Sequence, residues 1–374
     1  MQDKKIAIIF GTRPEIIKLT PVIRECQKRN LPFFCIHTGQ HYSFEMDAIF
    51  FDELSLPVPD YKLEIGTQLT AGHGEQVGLM LAQIEKILIK EKPFVVVVQG
   101  DTNTVLAGAL SATKIPTPVY DQRIRVAHVE AGLRSYDRQM PEETNRVLVD
   151  HISDFLFAPT ENKKKILLGE GIAEDKIFVV GNTIVDMVLQ SSIVAKEKSN
   201  VLEKFNLKEN SYILLTLHRQ ENVDSKETLL NIIEGVYRFA EQRNLPVVFP
   251  IHPRTEKMLH TFDILLPRII QTVTPTGYLD FISLEINACL IMTDSGGLQE
   301  EACILQVPCV TLRNSTERPE TIAVGANSIA GTNSDSILQN AHKMIGKNRD
   351  WENPFGDGKT AERIINTIIK NYEN

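Results

Sequence analysis

Short apolar runs alternate with amphipathic stretches along the whole chain. In the first half the apolar runs are IAIIF (6–10), FFCIHT (33–38), FVVVVQ (94–99), RVAHVE (125–130) and FLFAPT (155–160). Continuous runs of this length, rich in Val and Ile, predict strands of a parallel sheet covered on both faces. Helical periodicity fills the gaps at about 14–29, 73–91, 102–114, 142–152 and 161–169. IFVVGNTIVDMVLQ (177–190) then reads as a strand, a turn at Gly181 and a helix. The pattern restarts with YILLTLH (212–218), LPVVFPIHP (245–253), IIQTV (269–273), CLIMTD (289–294) and PCVTLR (308–313). This alternation predicts an α/β chain of two doubly wound, Rossmann-like domains, with the polar stretch 195–211 as the junction by composition. A ligand is expected in the cleft between the domains, outside the carboxyl ends of the strands.

Composition narrows the picture. The 374 residues are too many for a typical single domain, and 43% hydrophobic with 24% charged is an ordinary globular balance. A net charge of −8 argues against a general nucleic-acid binder but leaves room for a local basic pocket. Cys26, Cys35, Cys289, Cys303 and Cys309 form no C-x-x-C pair and read as reduced, buried thiols. The first apolar run, Ile6 to Phe10, is too short for a signal-peptide core or a spanning helix. A cytoplasmic protein without membrane association is expected.

The predicted strand exits carry the candidate chemistry. IAIIFGTRPEIIK is a strand, a glycine turn and a helix; free amides and Arg13 there suit an anion, and Lys18 lies one turn on. In VVVVQGDTNT, Asp101 is either a helix cap or a carboxylate facing the cleft. CLIMTDSGGLQEEA places Ser295, Gly296 and Gly297 between strand and helix, where bare amides can approach a phosphate. Either Glu300 or Glu301, in the first helical turn, can accept from ribose hydroxyls; both also suit the helix dipole. LTLHRQEN supplies His218 and Arg219, PIHPRTE adds His252, and RNSTERPET adds Arg318. No metal-ligand spacing and no G-x-G-x-x-G after a strand is present, so neither a metal nor a nicotinamide cofactor is expected.

The stretch HVEAGLRSYDRQMPEETNRVLVDHISD (128–154) packs charges of both signs around Pro141. Glu130 ends a strand, Glu142 and Glu143 open a helix, and Arg146 follows one turn later. A surface salt-bridge network would account for this. So would carboxylates converging from separate turns (Asp101, Glu130, Glu142), whose mutual influence shifts proton affinities.

Taken in order, GTRPEIIK, TGQH, QGDT, HVEAGLR, PEETNR, HRQEN, TDSGGLQEEA and TERPE resemble the UDP-N-acetylglucosamine 2-epimerase family of the non-hydrolysing type, from residue 11 to 320. The resemblance implies the two-domain GT-B architecture. The first domain would span 1–185, with a C-terminal helix at about 358–374 packing back on it, and the second 186–357. It implies reversible conversion of UDP-N-acetylglucosamine to UDP-N-acetylmannosamine by elimination and re-addition of UDP, without a cofactor. UDP and its sugar conjugate would be the ligands, and a homodimer the assembly. It assigns Asp101, Glu130 and Glu142 to acid–base work and His218 to the leaving diphosphate. Arg13, Ser295 and Gly296 match UDP contacts, Glu301 the ribose ligand and Phe281 the position beside uracil. Lys18, Arg134 and Arg146 match charged positions lining the cleft. The hydrolysing epimerases share a similar catalytic set. One departure concerns a second, regulatory substrate site: TGQHYSFEM keeps Gln40 but continues with Tyr42 and Ser43, and LEIGTQLTAGHGEQ lacks the family's arginine, so substrate activation is expected to be weak or absent.

Overall fold

The computed structural model describes residues 5–40, 51–68, 72–115, 123–274 and 276–373. The chain forms two compact units, Met1–Met187 with Phe355–Asn374, and Val188–Pro354; the division falls inside the helix Thr183–Lys198.

Among its described residues the first unit holds seven parallel strands: β1 (Ile6–Phe10), β2 (Phe33–His37), β3 (Tyr61–Lys62), β4 (Val95–Gln99), β5 (Arg125–Val129), β6 (Phe155–Ala158) and β7 (Ile177–Val179). Their spatial order is β3-β2-β1-β4-β5-β6-β7. Every residue of β1 and β4 is buried, which is why these runs are apolar throughout rather than alternating. Ala7, Ile9, Val96 and Val98 pack with Met80, Ile84 and Val105 from two covering helices. Each large apolar side chain buried this way contributes about 1.5–3 kcal/mol. The helix Thr360–Glu373 belongs to this unit; Asp186 accepts from the amides of Thr360 (3.2 Å) and Ala361 (2.9 Å) at its start.

The second unit holds six parallel strands: β8 (Ile213–Thr216), β9 (Val247–Pro250), β10 (Ile270–Val273), β11 (Leu290–Thr293), β12 (Cys309–Thr311) and β13 (Asn327–Ile329), in the order β10-β9-β8-β11-β12-β13. The fold class is thus α/β with two parallel, helix-covered sheets, as the alternation predicts. The edge strands β3 and β13 span only two and three residues, too few to register as a periodic run. The five cysteines are free thiols, all buried except Cys289, which is half-buried.

Both sheets reverse direction of winding once. The first does so between β1 and β4, the second between β8 and β11. Crevices for ligands open at such points, beyond the carboxyl ends of the strands.

Candidate active site

In the first unit the relevant exits are those of β1, β4 and β5. Gly11 leaves β1 so tightly that an added Cβ would stand 1.9 Å from the Thr38 hydroxyl and 2.4 Å from that of Thr104. Glycine is therefore required there. Beyond it, the Glu15 carboxylate turns back to accept from the amides of Gly11 (2.7 Å) and Thr12 (2.8 Å), and from the Thr102 hydroxyl. Burial pushes Glu15 up to about 7, against these hydrogen bonds, which pull it down. Arg13 is exposed at the first residue of the helix Arg13–Lys28.

Lys18 is not a solvated surface residue. Its ammonium lies 2.7 and 2.8 Å from the two oxygens of Glu130. Glu130 is buried, adopts the left-handed conformation (φ 70°), and also accepts from Gln99 Nε2 and from Asn182 Nδ2 at 3.2 Å. A bulky residue in that backbone region costs free energy, and the three side-chain donors hold it there.

Asp101 does not cap the following helix; Thr102 does, accepting from the Val105 amide at 3.4 Å. The Asp101 carboxylate instead takes Arg146 through Nε (2.9 Å) and Nη2 (2.6 Å), both on Oδ2. Arg146 also reaches Glu143 at 2.7 Å. The two neighbouring glutamates diverge. Glu143 turns inward to the amides of Ser135 (2.9 Å) and Tyr136 (3.0 Å); burial alone would raise it, but these donors and Arg146 bring it down to about 2. Glu142 has no hydrogen bond or ion pair among the described residues. With Asp101, Thr102, Asn103, Gln40, His73 and Gln76 it lines a cavity of about 310 Å³.

Beneath this site lies a buried ion cluster. His128 Nδ1 is 2.7 Å from Asp150 Oδ1, and Nε2 is 2.8 Å from the Gly100 carbonyl oxygen. Both partners are acceptors, so both ring nitrogens donate and the ring is an imidazolium. Burial opposes that charge, yet Asp150 and the Gly100 carbonyl raise the His128 pKa above its ordinary value. The Arg134 side chain is 1% exposed and engages Asp150 at 2.7 Å and Glu170 at 2.8 and 2.6 Å. It braces this cluster rather than facing an open surface. A histidine with a raised folded-state pKa contributes stability that is complete below its unfolded pKa of about 6.5 and is lost as pH rises through the folded value. The urea midpoint is therefore expected to fall across that alkaline-side window in the native chain and to flatten in His128→Asn. Parallel curves for the two proteins would exclude the assignment.

In the second unit, Asp294 at the exit of β11 organises the loop after β8. It is fully buried and accepts from the amides of His218 (3.0 Å) and Arg219 (3.0 Å), from Asn222 Nδ2 (3.1 Å) and from His218 Nδ1 (2.9 Å). Burial would raise its pKa, but these partners hold it below the ordinary value. The ring of His218 stands 6.0 Å from that of His252. His252 accepts from the Arg254 amide at 3.2 Å, and burial together with the charges of His218 and Arg254 keeps its pKa low. Arg219 Nε is buried without an acceptor among the described residues. A cationic donor in that position is suited to an incoming anion. Ser295 caps the helix Gly296–Ile304. A Cβ added to Gly296 or Gly297 would meet nothing closer than 3.8 and 3.9 Å, so packing within the chain does not demand glycine there. What glycine does is leave the first amides of the helix bare. Glu300 is buried and lies 2.8 Å from Arg318, whereas Glu301 is half-buried. Phe281 is half-buried on the helix Tyr278–Ile286.

The structure thus groups Asp101, Glu142 and Arg146 at one crevice, with Glu130 and Lys18 paired at the neighbouring strand exits. It groups His218, Arg219, His252, Ser295, Gly296 and Gly297 around the exits of β8, β9 and β11. Residues 41–50, which carry the altered part of TGQHYSFEM, lie outside the described residues. Among the described residues no group of three His, Cys, Asp or Glu is placed to hold a metal ion, and no helix is long and apolar enough to cross a membrane.

The family model for UDP-N-acetylglucosamine 2-epimerase matches residues 24–369. The chain belongs to the UDP-N-acetylglucosamine 2-epimerase family. A relative from Methanocaldococcus jannaschii named UDP-N-acetylglucosamine 2-epimerase is 57% identical over 97% of this chain and 98% of its own length. The crystal structure of the Methanocaldococcus jannaschii UDP-GlcNAc 2-epimerase in complex with UDP-GlcNAc and UDP superposes with a TM-score of 0.84, covering 98% of this chain and 99% of that one at 57% identity. A UDP-2,3-diacetamido-2,3-dideoxy-D-glucuronate 2-epimerase from Pseudomonas aeruginosa is 39% identical over 98% of this chain and 99% of its own length.

Several supporting residues escaped the sequence reading. Glu15 had a visible signal, since Thr12-x-x-Glu15 is the capping-box pattern. Gln99, His128 and Asn222 fall inside the motifs QGDT, HVEAGLR and HRQEN, yet nothing local gives them, Asp150 or Asn182 a partner. Their partners are 18 to 90 residues away in sequence, and only the sheet brings them together.

Proposed function

We propose that this protein is a non-hydrolysing epimerase that interconverts UDP-N-acetylglucosamine and UDP-N-acetylmannosamine. The observation that carries the reading is the cavity beyond the exits of β2 and β4, where Glu142, without a partner among the described residues, stands near Asp101 and its Arg146. The sugar's second carbon has no carbonyl directly attached and is not acidic. Its C–H bond breaks in concert with loss of UDP: the C–H pair forms the double bond to the first carbon, and the C–O pair leaves on the diphosphate. Re-addition with protonation on the opposite face inverts the carbon. Two carboxyl groups suit the two faces, one as carboxylate taking the proton and the other as acid delivering one, and Glu142 is the one whose oxygens have no partner among the described residues. Glu130 is held in an ion pair with Lys18 at the neighbouring strand exit. Arg219 and the bare amides at Gly296 and Gly297 suit the departing diphosphate, where preorganised donors contribute most in the transition state. Glu301 serves the ribose and Phe281 the uracil. A homodimer is the proposed assembly.

Incubation with UDP-N-acetylglucosamine in deuterated water, without added metal or nicotinamide, is expected to yield UDP-N-acetylmannosamine with deuterium on the second carbon. The 2,3-diacetamido glucuronate counterpart, tested alongside, is expected to turn over poorly. Free UDP and free N-acetylmannosamine as the sole products would overturn the non-hydrolysing reading.

A further inference from the structure

Glu285 lies on the helix Tyr278–Ile286 with 0% exposure, and no donor among the described residues reaches either of its carboxyl oxygens. Its titratable neighbours are Tyr212, Cys309 and Glu301. Tyr212 spends its hydroxyl proton on the Leu284 carbonyl at 2.5 Å, and burial keeps both the phenol and the Cys309 thiol protonated. Glu301 is the charged group facing Glu285, and it comes from the helix that begins with Gly296 and Gly297. An ionised carboxylate without a donor is untenable at this depth, and a second carboxylate beside it worsens the case. Two such groups share one proton. The more buried carboxyl keeps it, and the half-buried one stays ionised.

We propose that Glu285 is a positioning residue: as a neutral acid it donates to the Glu301 carboxylate and holds it aimed at a pair of vicinal hydroxyls. This rests on the reading of Glu301 as the ribose ligand. A carboxylate on a flexible, half-buried side chain in the middle of the helix Gly296–Ile304 can adopt several rotamers, and a buried donor behind it selects among them. The remaining lone pairs then accept from both hydroxyls of a cis-diol at once.

The test is calorimetric binding of UDP and of 2′,3′-dideoxy-UDP. Glu285→Gln keeps a donor of similar size and is expected to bind UDP within about threefold of the native chain. Glu285→Met removes the donor and is expected to bind UDP about tenfold more weakly, the usual consequence of losing one hydrogen bond to a charged group. Its binding of the dideoxy analogue should not change. Its urea midpoint is expected to rise, because an unsatisfied buried acid is replaced by an apolar side chain, so weaker binding cannot be put down to unfolding. Glu301→Ala is expected to abolish the preference for UDP over the analogue. If Glu301→Ala abolishes it and Glu285→Met retains it, the positioning role is wrong while the ribose reading stands. If Glu301→Ala retains the preference, the ribose reading itself fails.

Discussion

Replacing Glu142 by Gln is expected to lower turnover by about 100-fold or more, with little change in stability. The side chain is half-buried, makes no hydrogen bond among the described residues, and faces the cavity it shares with Asp101. Among the described residues its charge favours only the amino end of the helix Pro141–Ile152, an effect of a few tenths of a kcal/mol up to about 1 kcal/mol. The amide is nearly isosteric, so substrate binding should be largely kept and KM should move less than kcat. Asp101→Asn should also cut turnover by about 100-fold, but with an added structural cost, because Arg146 loses a carboxylate held at 2.6 Å. Steady-state kinetics with product quantified by chromatography separates the two. Wild-type turnover in Glu142→Gln would remove this residue from the acid–base set.

The largest effect on stability is expected at Asp150. Asp150→Ala should cost about 3–5 kcal/mol, the usual result of stripping one partner from a buried ion pair. Asp150 stands between His128 and Arg134, whose side chains are both 1% exposed, and also accepts from the Gly132 amide at 3.1 Å. Its loss leaves two cations facing one another in a space that excludes water. The damage should reach activity too, since His128 holds the Gly100 carbonyl next to Asp101. Chemical denaturation measures the first effect and turnover near the low end of the denaturant range the second. A change under about 1 kcal/mol would mean that the cluster is hydrated and only weakly coupled.

The alternation of apolar and amphipathic stretches determined the α/β class and nearly all of the long strands, because strands buried on both faces must be apolar at every position. Strand exits ending in Gly11, Gly100 and Asp294 likewise pointed to the place proposed for the chemistry, since doubly wound sheets bind at those ends. The family, too, was legible, because its motifs are clustered at these turns. Local sequence could not rank charges that lie side by side. Glu142 and Glu143 are adjacent in the same helical turn, and so are Glu300 and Glu301. Each member of a pair points about 100° from its neighbour around the helix. Which one enters a buried network and which faces a crevice depends on what another element places opposite. Ser135, Tyr136 and Arg146 receive Glu143 while Glu142 lines a cavity; Arg318 lies against Glu300, while Glu301 lies beside Glu285. Likewise Lys18 became the partner of Glu130, 112 residues away, only when β1 and β4 came to lie side by side with β5. Charge and residue type are properties of the chain, but the partner that sets each group's protonation and orientation is supplied by the tertiary fold.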